Sequence, residues 1–352
     1  MAAIKKRAIG RQMKPIYLSL ALVATLAACS GDPFAEPEEE TTPDTGTAID
    51  SDRTLPPGTA SPEPSLSIFR SEPSGDNAQS GDGQVSGVSY DSVNDEFTVD
   101  GLAFDGDNVY SRGTLVASLN NEYAVYEADT QFNDPLSGVP VNQFTHRAIY
   151  GVSTTGNTEF AIVRTGAYTD FGFGGFIYQR NGGVTLPSTG QAAYTGVSAA
   201  VRDFSGRGGL EYSVADVSIG IDFTDFDDGA TTLGDGIQGS FTNRTIFDIN
   251  GTDITTAVLD RFNEDNDASL TSVPTLQLFV GPNVLDANGE ITGEIGSTFV
   301  DNQGVVQTYE TGTYYGILSG DDANELVGIY VVTSQPEENV TARETGGFIV
   351  YR

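Results

Sequence analysis

Gln191-Ala192-Ala193-Tyr194-Thr195-Gly196-Val197-Ser198-Ala199-Ala200-Val201 puts Ala193, Thr195, Val197, Ala199 and Val201 on one face of an extended strand, because strand side chains alternate sides. Leu210, Tyr212 and Val214 begin a second strand, and the apolar parity then changes to Val217, Ile219, Ile221 and Phe223. A change of phase by one residue predicts a bulge or tight turn near Ala215. Tyr309, Thr311, Thr313, Tyr315 and Ile317 alternate again, followed by the runs Leu326 to Val332 and Phe348 to Tyr351. The final run stops one residue before Arg352. Pairing it with the first strand near Ala193 would close the sheet and remove its open edges.

Outward from this region the same character persists as far as Gly87. Shorter β runs cover Phe97 to Val99, Tyr123 to Tyr126, Ala148 to Gly151, Phe160 to Arg164 and Phe173 to Tyr178. Asp100-Gly101, Asn181-Gly182, Asp228-Gly229, Asn250-Gly251 and Asn288-Gly289 supply hairpin turns, since these pairs tolerate positive φ. Thr256 to Phe262 is the one segment that predicts a short helix. Leu186-Pro187-Ser188 reads as a hinge. The expected fold is all-β: a small β-sheet domain over 86–187, then an eight-stranded antiparallel β-barrel over 188–352.

The first 28 residues have the three parts of an export signal. Lys5, Lys6, Arg7, Arg11 and Lys14 precede an apolar run from Ile16 to Leu26, too short to span a membrane. Leu26-Ala27-Ala28-Cys29 then resembles a bacterial lipobox, with small residues for the peptidase and a thiol to take the diacylglycerol. Cys29 is the sole cysteine, so no internal disulfide or thiolate metal site can form, and lipidation explains its presence. Residues 29–85 read as a disordered, acidic, proline-rich tether holding eight of the 15 prolines, with little apolar surface to offset its ordering entropy. A coil of that length reaches roughly 40 Å. Leu66, Ile68 and Phe69 form one apolar island in it that could dock locally.

Charge narrows the partners. Five of the 17 basic residues lie in the leader; the remaining 12, all arginine, face 49 acids, a net charge of −37. Such a surface repels nucleic acid and anionic headgroups. It suits solubility at high salt, or a basic partner.

After Pro187 the chain resembles the C-terminal β-barrel of transferrin-binding protein B and its relatives, factor H binding protein and the neisserial heparin-binding antigen. The matching pieces, in order, are Gly190-Gln191-Ala192-Ala193-Tyr194-Thr195-Gly196, Ile221-Asp222-Phe223, Gly236-Ile237-Gln238-Gly239, Gly312-Thr313-Tyr314-Tyr315-Gly316, Ala323-Asn324-Glu325-Leu326-Val327-Gly328 and Gly347-Phe348-Ile349-Val350-Tyr351. The resemblance implies a single handle domain upstream of the barrel, and surface exposure on a lipid anchor. It departs from the family in having room for one handle–barrel lobe, a longer stretch between Gly316 and Ala323, and no lysine-rich loops. Transferrin as ligand does not follow.

Candidate chemistry is sparse. His146 is the only histidine, with no P-loop, Gly-x-Ser-x-Gly or His-Glu-x-x-His beside it, and reads as a structural or surface residue. Asp265-Asn266-Asp267 with Ser269, and Asp222, Asp225, Asp227 and Asp228, offer the oxygen ligands calcium prefers. They break the EF-hand pattern, since Leu270 occupies the glycine position, and read first as solvated turns. Phe171-Gly172-Phe173-Gly174-Gly175-Phe176-Ile177-Tyr178 is either a closely packed strand or a stacking platform. No catalytic, cofactor or metal residue is assigned; the only covalent group expected is the diacylglycerol and acyl chain (palmitate) on Cys29.

The leading expectation is a monomeric, non-enzymatic lipoprotein of the outer membrane that binds a protein or metal-carrier ligand. Ser30, rather than aspartate, follows Cys29, which favours the outer membrane. A lipocalin-like carrier of a small hydrophobic molecule is the alternative, although the chain lacks the tryptophan of the lipocalin signature. A structural envelope lipoprotein is the third reading.

Overall fold

The structure is a computed structural model that describes residues 67–73, 83–166, 170–224, 236–279, 285–286 and 288–352. The leader, Cys29, most of the tether, Asp225, Asp227 and the Asp228-Gly229 turn lie outside the described residues.

In chain order the first part contains β1 (Ile68–Ser71), β2 (Gly87–Asp91), β3 (Glu96–Asp100), β4 (Val109–Arg112), β5 (Ser118–Leu119), β6 (Tyr123–Ala128), β7 (Gln131–Asn133), β8 (Pro140–Asn142), β9 (His146–Val152), β10 (Thr158–Thr165) and β11 (Gly174–Arg180). Strands β7 and β8 form a separate hairpin. The others make one sheet in the order β1-β11-β10-β9-β6-β4-β3-β2, with β5 paired to β6. The sheet curls as an open half-barrel, with β1 and β2 at its two edges among the described residues.

The second part contains β12 (Gln191–Ser205), β13 (Glu211–Asp222), β14 (Ile237–Asp248), α1 (Thr255–Asp265), β15 (Leu276–Leu278), β16 (Glu290–Val300), β17 (Val306–Ser319), β18 (Glu325–Glu337) and β19 (Val340–Tyr351). Its eight strands close into a barrel, as the alternation predicts. Closure is made by β19, which pairs with β18 on one side and with β12 from Thr195↔Tyr351 to Ser205↔Thr341 on the other.

The tether expectation over 29–85 needs correction. Ile68 to Ser71 pair with β11, Glu72 is buried, and Val85 belongs to a core. Proline content misled here: the β1 segment itself contains no proline, and the island at Ile68 and Phe69 finds a sheet edge to complete.

The parity change near Ala215 has two causes. Strand β13 runs beside β12 in unbroken register, while a bulge against β14 lies between Val214 and Asp216, where Asn243 of β14 takes φ 52°. The apolar pattern switches because the environment switches. Tyr212 and Leu210 face outward under the upstream sheet, whereas Val217, Ile219 and Ile221 face the lumen. Likewise Ala199 and Val201, read as one face of β12, lie on the outside of the barrel beneath that sheet, and Tyr194 and Ala200 point inward.

The half-barrel sheet therefore buries both faces, which is why β10 reads as the continuous apolar run Phe160-Ala161-Ile162-Val163. Phe160 and Ile162, with Tyr123, Val125, Ile149 and Phe176, pack on the barrel wall. Ala161 and Val163 pack with Phe97, Val99, Tyr110 and Tyr126 inside the curl. Two successive glycines allow the close approach at β19. A Cβ on Gly346 would lie 2.2 Å from the Tyr330 ring inside the lumen, and one on Gly347 would lie 2.2 Å from the Phe160 ring outside it.

Candidate functional site

Sequence-singled residues mostly turn out to be structural. His146 is fully buried, and its Nδ1 donates to the Phe144 carbonyl at 3.2 Å. Burial pushes its pKa down, so the ring is held neutral. Asp265 accepts the Glu338 N–H, while Asp267 accepts from Asn302 and Gln303 and Ser269 bonds Asn302. These side chains fasten loops to one another. Among the described residues no three His, Cys, Asp or Glu side chains gather as a metal ion would require. The aromatic run resolves into β11, where a Cβ on Gly174 would meet the Val163 carbonyl at 2.4 Å and one on Gly175 would meet Val85. Its glycines serve sheet packing, and Phe171 lies under the Arg343 guanidinium at 4.7 Å.

The handle-like sheet is locked to the barrel by polar groups as well as apolar ones. Arg164, fully buried, donates to both Glu72 oxygens at 2.9 and 3.0 Å and to Thr345 Oγ1 at 2.8 Å. Tyr123 Oη donates to the Val197 carbonyl and accepts the Ile349 N–H, both at 2.8 Å. Arg180 donates to the Leu318 carbonyl at 2.6 Å and the Asn288 carbonyl at 2.9 Å. Buried donors paired this way fix one orientation of the two sheets, because leaving any unpaired costs about 1–3 kcal/mol.

The lumen is graded in polarity. One end is apolar, lined by Ala192, Ile221, Ile237, Ile291 and Leu326. At mid-height rings from different walls meet, Phe241 lying 4.8 Å from Tyr330 and 5.4 Å from Phe348. The other end holds a buried ion cluster. Arg244 reaches Glu310 and Glu344, and Arg202 reaches Glu211 and Glu344. Tyr330 Oη donates to Glu344 at 3.0 Å and Ser297 to Glu310 at 2.9 Å. Burial raises the Glu344 pKa, but Arg244 and Arg202 outweigh it and hold the carboxyl below its ordinary range. Helix α1 covers this end, where Val258, Leu259 and Phe262 meet Ile246, Phe299 and Tyr309. The ions are thus fixed structural charges.

Among the described residues, one chemically open feature is a cleft of about 270 Å³ on the inner side of the half-barrel. It lies between the two sheet edges: Phe69 comes from β1, and Val88, Ser89 and Tyr90 from β2. Phe97, Tyr150, Glu159 and Gln179 complete it. Tyr90 and Phe97 each stand about 5 Å from Tyr150, at 5.2 and 5.3 Å between ring centroids, tilted by 46° and 40°. Tyr150 Oη donates to Glu159 at 2.7 Å; burial first, then this bond, raises the Tyr150 pKa, so the phenol stays neutral. Apart from Phe69, part of the apolar island, none of these residues stands out in the sequence as a site. They sit on β1, β2, β3, β9, β10 and β11, and only the curl of the sheet brings them together.

No protein-family model matches the chain, and no curated protein matches it. Among solved structures it is similar to the vaccine antigen transferrin binding protein B of Haemophilus parasuis Hp5, at 14% identity and TM-score 0.35, over 81% of this chain and 45% of that one. It is also similar to the isotype 1 transferrin binding protein B of serogroup B Neisseria meningitidis, at 13% identity and TM-score 0.29, over 66% of this chain and 41% of that one. A structure described as a surface lipoprotein aligns at 12% identity and TM-score 0.28, over 66% of this chain and 94% of that one. The chain spans about half the length of the two transferrin binding proteins.

Proposed function

We propose that this chain is exported, acylated on Cys29 and held at the outer membrane, where its body acts as a non-enzymatic binding protein for a protein or metal-carrier ligand. The observation that carries this reading is a sole cysteine placed after Leu26-Ala27-Ala28, joined to a body of fixed shape whose lumen is crossed by interlocking rings. Recognition then falls on the outer loops, edges and clefts. The excess of the 49 acids over the 12 arginines that follow the leader favours a ligand with a basic face, since complementary charge speeds encounter and excludes wrong partners. The packed lumen argues against the lipocalin-like alternative, which needs that space for its cargo.

Two measurements test the reading. Cys29→Ser should abolish palmitate labelling and release the protein from carbonate-washed outer membranes; full retention would sink the anchor. Pull-down with the lipid-free body from native culture medium, with and without iron, should retain a defined protein. Recovery of the bait alone under both conditions would remove the binding role.

A further inference from the structure

The half-barrel cleft has the chemistry of a cation site. Its wall is three tilted rings, Tyr90, Phe97 and Tyr150, with the half-exposed Phe69 on the opposite sheet edge. Ring faces carry negative potential and attract cations within about 6 Å of their centroids. The same aromatic cluster already accepts one cation of the protein's own. Tyr126 lies 6.0 Å from Tyr90 and 5.3 Å from Phe97, and the Arg112 guanidinium sits 4.9 Å from the Tyr126 ring centroid. Asp95 supports that arrangement, accepting from Arg112 and Tyr126 at 2.8 Å and from Tyr90 at 3.2 Å.

Among the described residues, Glu159 repeats the carboxylate half of this pattern without the cation. Its oxygens accept from Tyr150 at 2.7 Å, Gln179 at 2.5 Å and Asn181 at 2.9 Å, all neutral donors. A half-buried carboxylate beside open aromatic surface favours a positive group and penalises an anion or a purely apolar one, which would cover the charge without pairing it.

We propose that the cleft binds an organic cation, an alkylammonium head held against Tyr90, Tyr150 and Phe69 and neutralised by Glu159. The site is independent of the anchor. The head could belong to a free methylated amine or to a lysine side chain of a partner.

The test is calorimetric titration of the mature, acylated chain in detergent with three probes: choline, its uncharged isostere 3,3-dimethyl-1-butanol, and Nα-acetyl-lysine amide. At least one cation should bind saturably and roughly tenfold or more tighter than the isostere, the scale of a partly desolvated cation–π contact. Whichever cation binds tighter identifies the source of the head. Tyr90→Leu, at a partly exposed ring, and Glu159→Gln, which keeps an acceptor for Tyr150, should each weaken that binding roughly tenfold while the melting temperature holds. If Tyr90→Leu lowers the melting temperature, Glu159→Gln alone decides. Equal affinity for the isostere, no saturable binding of either cation, or an affinity unchanged by Glu159→Gln would overturn the site.

Discussion

Gly347→Ala isolates one of the contacts that seat the handle-like sheet on the barrel. The added methyl would lie 2.2, 2.4 and 2.6 Å from three atoms of the Phe160 ring, against an optimum of roughly 3.5–4.0 Å between carbons. The ring cannot retreat. It covers Gly151 on its far side and meets the edge of Tyr123 at 5.0 Å, and it is itself buried. Elsewhere in a strand, where φ is ordinary, Gly→Ala stabilises by about 0.4–1 kcal/mol through the unfolded chain. Here overpacking of about 1–3 kcal/mol opposes that gain, leaving a net loss of about 1–2 kcal/mol. Phe160→Ala alone should cost about 3–5 kcal/mol. In the double variant the methyl enters the vacated space, so the pair should cost less than the two singles together by about 1–2 kcal/mol, within the usual range for touching residues. Urea unfolding at constant m reads each value. Additivity within about 0.5 kcal/mol would refute the contact and, with it, the seating of the sheet on β19.

Three further outcomes follow from the same packing. Glu72→Ala should destabilise by about 3–5 kcal/mol, because it leaves the Arg164 charge buried without its carboxylate; a variant unfolding at the wild-type urea midpoint would show that β1 is dispensable. Deleting Gly347 to Arg352 strips hydrogen bonds from β12 and β18 together and removes buried Phe348 and Ile349, each worth roughly 1.5–3 kcal/mol. The truncated chain should lose its β-sheet circular dichroism, and retention of the wild-type melting temperature would mean that the barrel closes without it. Because the folded pKa of Glu344 is depressed below the ordinary 4.5, its contribution is full above that value and lost as pH falls through the folded pKa. The stability gap between wild type and Glu344→Gln should therefore narrow in acid, and a gap constant from neutral pH down through pH values of about 3 would place the charge elsewhere.

The barrel was legible from the chain because strand alternation is a local property that survives wherever one face is buried. Asp100-Gly101, Asn181-Gly182, Asn250-Gly251 and Asn288-Gly289 all adopt positive φ at glycine, the angle that made them readable as turns, although Asn181-Gly182 links β11 to β12 of the barrel and closes no hairpin. The helix expected at Thr256 to Phe262 forms over Thr255–Asp265. What alternation could not say is which face is inside. Ala199, Val201 and Ile317 are apolar because another sheet covers the barrel's outer wall there, while Arg202, Arg244 and Glu344 are charged although they point into the lumen. Both reversals depend on partners brought in from other strands, from the covering sheet or from across the closed wall, for which a local pattern carries no signal. The recruitment of Ile68 to Glu72 into the sheet has the same origin, since Arg164 lies 92 residues beyond Glu72. The cleft is the furthest case: Tyr90, Tyr150 and Glu159 are unremarkable singly, and only the curl that brings β1 near β2 makes them neighbours of Phe69. Local chemistry dictated strands and turns, whereas the choice of inner and outer faces, the seating of one sheet on the other and the assembly of the cleft required the tertiary fold, because burial is a property of what packs against a residue and not of the residue.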